Sequence, residues 1–121
     1  MARILVIDDD DQILRTLHQV LEMEGHEVVD ASNGKEGMRL FREQGAGLII
    51  TDIVMPEKEG LETIMELRRD FPDIKIIAIS GGGRVDPESY LTLAKGFGAL
   101  RTLAKPFERE ELLVAVRELL E

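Results

Sequence analysis

The sequence predicts an α/β fold in which a parallel sheet is covered by helices on both faces. Two observations carry this: short, nearly continuous aliphatic runs recur along the chain, and between them lie longer stretches whose apolar residues repeat at helical spacing. A third sets the scale. With 121 residues the chain is long enough for one compact domain and too short for two ordinary ones, so residues 1–121 are expected to form a single domain.

Taken in order, Ile4-Leu5-Val6-Ile7 is the first strand, aliphatic at every position as a doubly covered strand should be. Ile13, Leu14, Leu17, Val20 and Leu21 then mark one stripe of a helix that should stop near Gly25. Val28-Val29 is a second, weaker strand, and Leu48-Ile49-Ile50 a third, strong one. Leu61, Ile64 and Leu67 mark another helix, which must end before Pro72 because the residue preceding a proline avoids the helical region. The run from Ile74 to Ile79 is the fourth strand. Asp86-Pro87 supplies a capping side chain followed by proline at the first helical position, and Gly96 a stop. Leu100 to Ala104 is a weaker fifth strand, and Leu112, Leu113, Val116, Leu119 and Leu120 give the final helix its apolar side. Five βα units result.

Composition narrows the function. There is no cysteine and no tryptophan, so stability must come from an aliphatic core, not from disulfides or thiolate metal sites. A formal net charge of −9 argues against direct nucleic-acid binding, which draws its affinity from lysine and arginine. The run Ile4–Ile7 is far shorter than an export or membrane-spanning segment and is followed at once by four aspartates, so a cytoplasmic protein without membrane insertion is expected. No linker, low-complexity tract or longer repeat suggests an appended output domain.

In an open parallel sheet, chemistry collects where the strands end and loops leave the scaffold beside a crevice. The first strand ends into Asp8-Asp9, the third into Asp52, the fourth into Ser80 and the fifth into Lys105-Pro106. On one rim these make three carboxylates, a hydroxyl and an ammonium. Two carboxylates about 4 Å apart repel by on the order of 4 kcal/mol at an effective dielectric of roughly 20, so something positive must offset them. Mg²⁺ suits such oxygen donors, with Asp9 and Asp52 as direct ligands. A carboxylate can also act as a nucleophile toward phosphorus, with Lys105 stabilising the charge on the phosphoryl group and Ser80 donating a hydrogen bond to it only in the modified state.

The run Ile4 to Asp9, then Asp52-Ile53-Val54-Met55-Pro56 with Gly60 downstream, then Ser80, then Lys105-Pro106-Phe107, resembles the receiver domain of two-component response regulators over the whole chain. The resemblance implies a flavodoxin-like (βα)5 three-layer sandwich of strand order 2-1-3-4-5 and a cis peptide before Pro106. It implies Asp52 as phosphoacceptor and Mg²⁺ organised by Asp8 and Asp9, with the backbone carbonyl of Val54 completing the protein ligands. Lys105 would pair with Asp52 and then with the phosphoryl group. The donor would be a histidine kinase or histidine phosphotransfer protein, and the face of the fourth helix, fifth strand and fifth helix would meet a partner, as monomer or phosphorylation-dependent dimer.

One departure is Thr102, which stands where many receivers carry an aromatic residue coupled to the Ser or Thr switch. The other is Gly81-Gly82-Gly83 after Ser80, which leaves the pocket mouth open and frees the loop leading through Arg84. Two rival functions share the spelling: a degenerate receiver that binds partners unphosphorylated, and a Mg²⁺-dependent aspartyl-phosphate hydrolase of the haloacid dehalogenase type with Asp8 as nucleophile and Asp10 as acid. The hydrolase leaves Asp52 and Lys105 unexplained, and no G-x-x-x-x-G-K-S/T sequence supports nucleotide binding. Asp10 and Asp11 read as a capped helix start. His18 and His26 have no partner at ligand or catalytic spacing, and Met23, Met38, Met55 and Met65 read as core or loop packing.

Overall fold

Five strands, β1 (Arg3–Ile7), β2 (Glu27–Ala31), β3 (Leu48–Asp52), β4 (Ile76–Ser80) and β5 (Arg101–Ala104), form one sheet in the order β2-β1-β3-β4-β5, with every pairing parallel. The computed structural model describes residues 2–53, 60–80, 95–96 and 98–120, with Gly60 and Leu61 as backbone only. Four helices fall within them: α1 (Asp11–Met23), α2 (Gly34–Gln44), α3 (Gly60–Asp70) and α4 (Arg109–Leu120). The expected helix from Asp86-Pro87 lies outside the described residues save at its end, where Lys95 and Gly96 are helical.

Side-chain alternation along each strand divides the core into two layers. Leu5, Ile7, Ile49, Ile76 and Ala78 face Met38 and Phe41 of α2 and Ile64 and Leu67 of α3. Ile4, Val6, Leu48, Ile50, Ile77 and Ile79 face Leu14, Leu17 and Leu21 of α1 and Leu112, Leu113, Val116 and Leu119 of α4. The three central strands are therefore covered on both sides, and β3 and β4 are buried at every position. The edge strands β2 and β5 are buried at one position each, Ala31 and Leu103, which is why their sequences are less aliphatic.

Helix ends follow local chemistry. The Asp10 carboxylate accepts from the backbone N–H groups of Gln12 at 2.9 Å and Ile13 at 3.4 Å, satisfying donors that the first turn of α1 leaves open. Asn33 does the same for α2, accepting from Glu36 N–H at 2.8 Å. Gly25 closes α1 in the left-handed region with φ +90°, which glycine enters without steric cost. The packing assigned to methionine needs correction: Met38 is buried, but Met23 and Met65 are 65% and 49% exposed because they lie off the apolar stripes of α1 and α3. No helix among the described residues is long and apolar enough to cross a membrane.

Candidate functional site

The site lies at the carboxyl ends of β1, β3, β4 and β5. Ile7 pairs with Thr51 and Asp52 with Ile79, so β1, β3 and β4 end at nearly the same level, and Ser80 pairs with Ala104 one position further on. Residues that follow β1 and β5 are thereby carried to the same rim as Asp52. Oxygen atoms of Asp8, Asp9 and Asp52 lie within 4.8 Å of one another, with Asp8 and Asp52 buried and Asp9 exposed. The Lys105 ammonium stands 3.0 Å from Asp8 Oδ2 and 3.2 Å from Asp52 Oδ2.

Local backbone contacts fix these groups. The Asp8 N–H donates to the Ala31 carbonyl of β2 at 3.1 Å, extending the sheet by one residue beyond β1. Asp8 Oδ1 accepts from the Asp10 N–H at 2.9 Å, leaving Oδ2 for Lys105. On the opposite edge, Lys105 N–H donates to the Ser80 carbonyl at 2.7 Å, which ties the lysine's backbone to the end of β4. The Lys105–Pro106 peptide bond is cis. Ser80 itself is buried.

The electrostatics are those of an acidic cup around one cation. Burial pushes the Asp8 carboxyl up to about 6, and repulsion from Asp52 adds to this against the pull of the Asp10 N–H and Lys105. For Lys105, burial disfavours the charge, yet the Asp52 and Asp8 carboxylates outweigh it and hold the ammonium above the ordinary lysine value. Among the described residues one ammonium faces three carboxylates, and one of those is driven toward its neutral form. Three oxygen-bearing groups converging at this spacing are a donor set suited to a hard divalent cation.

Many of the residues singled out from the sequence fall within the described residues. Asp8, Asp9, Asp52 and Lys105 come together, and Ser80 is joined to Lys105 through its carbonyl. Val54, Met55, Pro56 and the Gly81 to Pro87 stretch lie outside the described residues. Thr102 is half-buried on β5 opposite Ala78. Asp10 is a cap, as expected. His18, expected at the surface or in packing and not in the site, is found outside the site: its Nδ1 is 3.0 Å from Asp30 on β2 and its Nε2 3.1 Å from Glu22 on α1. Hydrogen bonding to Asp30 raises its pKa, and the group ties α1 to β2 without entering the site. Sequence reasoning missed two features of the rim. One is the Lys105–Asp8 pair. The other is Thr51, fully buried, whose hydroxyl donates to the Asp52 carbonyl at 2.9 Å.

Comparison with known proteins agrees with this geometry. The family model described as "Response regulator receiver domain" matches residues 4–117. A probable transcriptional regulator, ycf27, from Porphyra purpurea is 36% identical over 119 residues, covering 98% of this chain and 47% of that protein. The chain thus spans about half the length of this relative. A receiver domain protein from Clostridium thermocellum superposes with a TM-score of 0.89 at 34% identity, covering 98% of this chain and 94% of that one. The response regulator TrrA from Thermotoga maritima, solved in complex with Mg(2+)-BeF, superposes with a TM-score of 0.87 at 34% identity, covering 98% and 99%. A parallel sheet of order 2-1-3-4-5, an acidic cup at its carboxyl edge and a match across nearly every residue place this chain in the response regulator receiver domain family of two-component systems.

Proposed function

We propose that Asp52 accepts a phosphoryl group from a phosphohistidine protein, a histidine kinase or histidine phosphotransfer protein, and that the modification changes how the chain meets a protein partner. The observation that most supports this is the convergence of Lys105 with Asp8 and Asp52 at 3.0 and 3.2 Å beside the exposed Asp9. An Asp52 carboxylate oxygen attacks phosphorus, the phosphorus–nitrogen bond to the donor imidazole breaks, and an acyl phosphate remains on Asp52. Lys105, within reach of Asp52 Oδ2, exchanges part of its pairing with the carboxylate for pairing with the added oxygens. Ser80, at the end of β4, donates its hydroxyl to one of them.

The donor set fits Mg²⁺: Asp8, Asp9 and Asp52 would hold it, and the family resemblance adds the backbone carbonyl of Val54. When bound, the ion neutralises negative charge that accumulates on the phosphoryl oxygens. In this reading the chain is a phosphoacceptor and not an enzyme, with at most weak self-phosphorylation from small donors and slow loss of the group. We place it in the cytoplasm, as a monomer or a phosphorylation-dependent dimer. The relative named above as a transcriptional regulator extends well beyond the matched segment, so any nucleic-acid contact belongs to other residues than these, whose net charge is −9. The hydrolase reading loses its acid: Asp10 spends its carboxylate on the first turn of α1. The degenerate reading lacks a missing residue, since every acidic group and the lysine are present.

Intact mass after incubation with acetyl phosphate tests the proposal. One phosphoryl adduct is expected in the presence of Mg²⁺, reduced when the metal is chelated and lost in Asp52→Asn. An adduct that survives Asp52→Asn, or none in the wild-type protein, contradicts it.

A further inference from the structure

We propose that His18, Asp30 and Glu22 form a proton-operated clasp between α1 and the edge strand β2, closed on both sides when the imidazole is charged and open on one side when it is neutral. The inference stands apart from the phosphoacceptor reading and needs no modification of Asp52. Its ground is a carboxylate at each ring nitrogen. Nδ1 is 3.0 Å from Asp30 Oδ1 and 3.1 Å from Oδ2, and Nε2 is 3.1 Å from Glu22 Oε2. A neutral imidazole carries one N–H, so it donates to one of these carboxylates and turns a lone pair toward the other; the imidazolium donates to both. Two contacts made at once are therefore the contacts of the charged ring. The same carboxylates favour the proton, the Asp30 hydrogen bond most of all, and hold the ring above the ordinary histidine value of 6.5.

The surroundings leave these two carboxylates in control of the ring. Alternation along β2 puts Val28 and Asp30 on the sheet face that α1 covers, and Val29 and Ala31 on the face that α2 covers, so the charged groups of α2 lie across the sheet from His18. On the α1 side β1 presents Ile4 and Val6, which do not titrate. Arg117 of α4 reaches α1 at Glu24, 2.9 Å away, and Arg15, three positions before His18 on α1, is exposed. The clasp also has something to hold. In the described sheet β2 has one neighbour, β1, and Ala31, which follows Asp30, accepts the Asp8 N–H at 3.1 Å. The strand tied to α1 through His18 is thus the one that backs the acidic cup.

Magnetic resonance titration of the ring nitrogens in the intact chain reads the proton directly, with His18→Gln assigning the signals. The His18 midpoint is expected above 6.5 and nearer to it in both Asp30→Asn and Glu22→Gln. The second histidine, His26, is shifted the other way by burial, so the two titrations separate. Amide protection along β2 reads the clasp. A charged ring that pairs in the fold stabilises it fully below the unfolded value of 6.5, and this is lost as pH rises through the higher folded value. The ratio of wild-type to His18→Gln protection in β2 is therefore expected to fall about two- to fivefold between pH 6 and pH 8.5, a size set by the modest worth of exposed ion pairs. The titration of Asp8 is common to both proteins and drops out of that ratio. A His18 midpoint at or below 6.5, a midpoint that either carboxylate substitution leaves in place, or a protection ratio flat with pH overturns the proposal.

Discussion

With 1% of its surface exposed and the Asp52 carboxylate beside it, Asp8 is held in the fold at the expense of its own ionisation. Its carboxyl titrates near 6 in the folded chain and near 3.8 unfolded, so the folded state binds more protons between those values. The sign follows: the stability that neutral Asp8 contributes is complete below about pH 3.8 and is lost as pH rises through 6. In metal-free protein, Asp8→Asn should therefore gain on the wild type across this window, reaching on the order of 2–3 kcal/mol at neutral pH. Urea denaturation of both proteins at a series of pH values checks this, since carboxylates away from the cup cancel in the difference. A difference that is flat from pH 4 to 7 would show that Asp8 ionises as freely in the fold as in the unfolded chain. The Lys105–Asp8 contact that sets this charge balance joins residues 97 apart and has no local sequence signature. The separate positions of Asp8, Asp52, Ser80 and Lys105 were legible because each follows an aliphatic run. The Lys105–Asp52 pair came from the family resemblance, and the Lys105–Asp8 pair was not legible.

At the scale of elements, legibility tracks burial. β3 and β4 are buried at all five positions and read directly as aliphatic runs. β2 and β5, at the sheet edges, need apolar residues on one side only, and their boundaries came out short or weak. α1 announces itself through the Leu14, Leu17, Leu21 stripe with Asp10 before it and Gly25 after. α2 does not: its contact surface includes Gly34 and Gly37, and a Cβ on Gly37 would lie 2.4 Å from Ile7 Cδ1, so close approach replaces a leucine stripe. Asp10 belongs to this scale rather than to the site. Asp10→Ala should cost about 1 kcal/mol in chemical denaturation through loss of the α1 cap, and leave phosphorylation from acetyl phosphate unchanged. Loss of the adduct at unchanged stability would return Asp10 to the chemistry and revive the hydrolase reading.

For the whole molecule, the topology does the gathering. Placing β1 and β3 side by side at the centre, with β4 and β5 to one side, brings residues 8, 52, 80 and 105 to one edge of the sheet. The two aliphatic layers hold the strands in that register, and among the described residues one ammonium stands among three carboxylates at the edge, the arrangement on which the proposed phosphoryl transfer rests. Thr102, half-buried on β5, keeps the position of the aromatic switch residue of many receivers polar and small, so on the proposed reading a readout of the modified state would run through other groups. The central claim is that Asp52, and no other carboxylate of the cup, carries the acyl phosphate. Reducing the phosphorylated protein with borohydride converts an acyl phosphate to homoserine, and peptide mass spectrometry then locates it. Homoserine at position 52 alone is the predicted result. Homoserine at position 8, or at none of the three cup positions, would contradict the account.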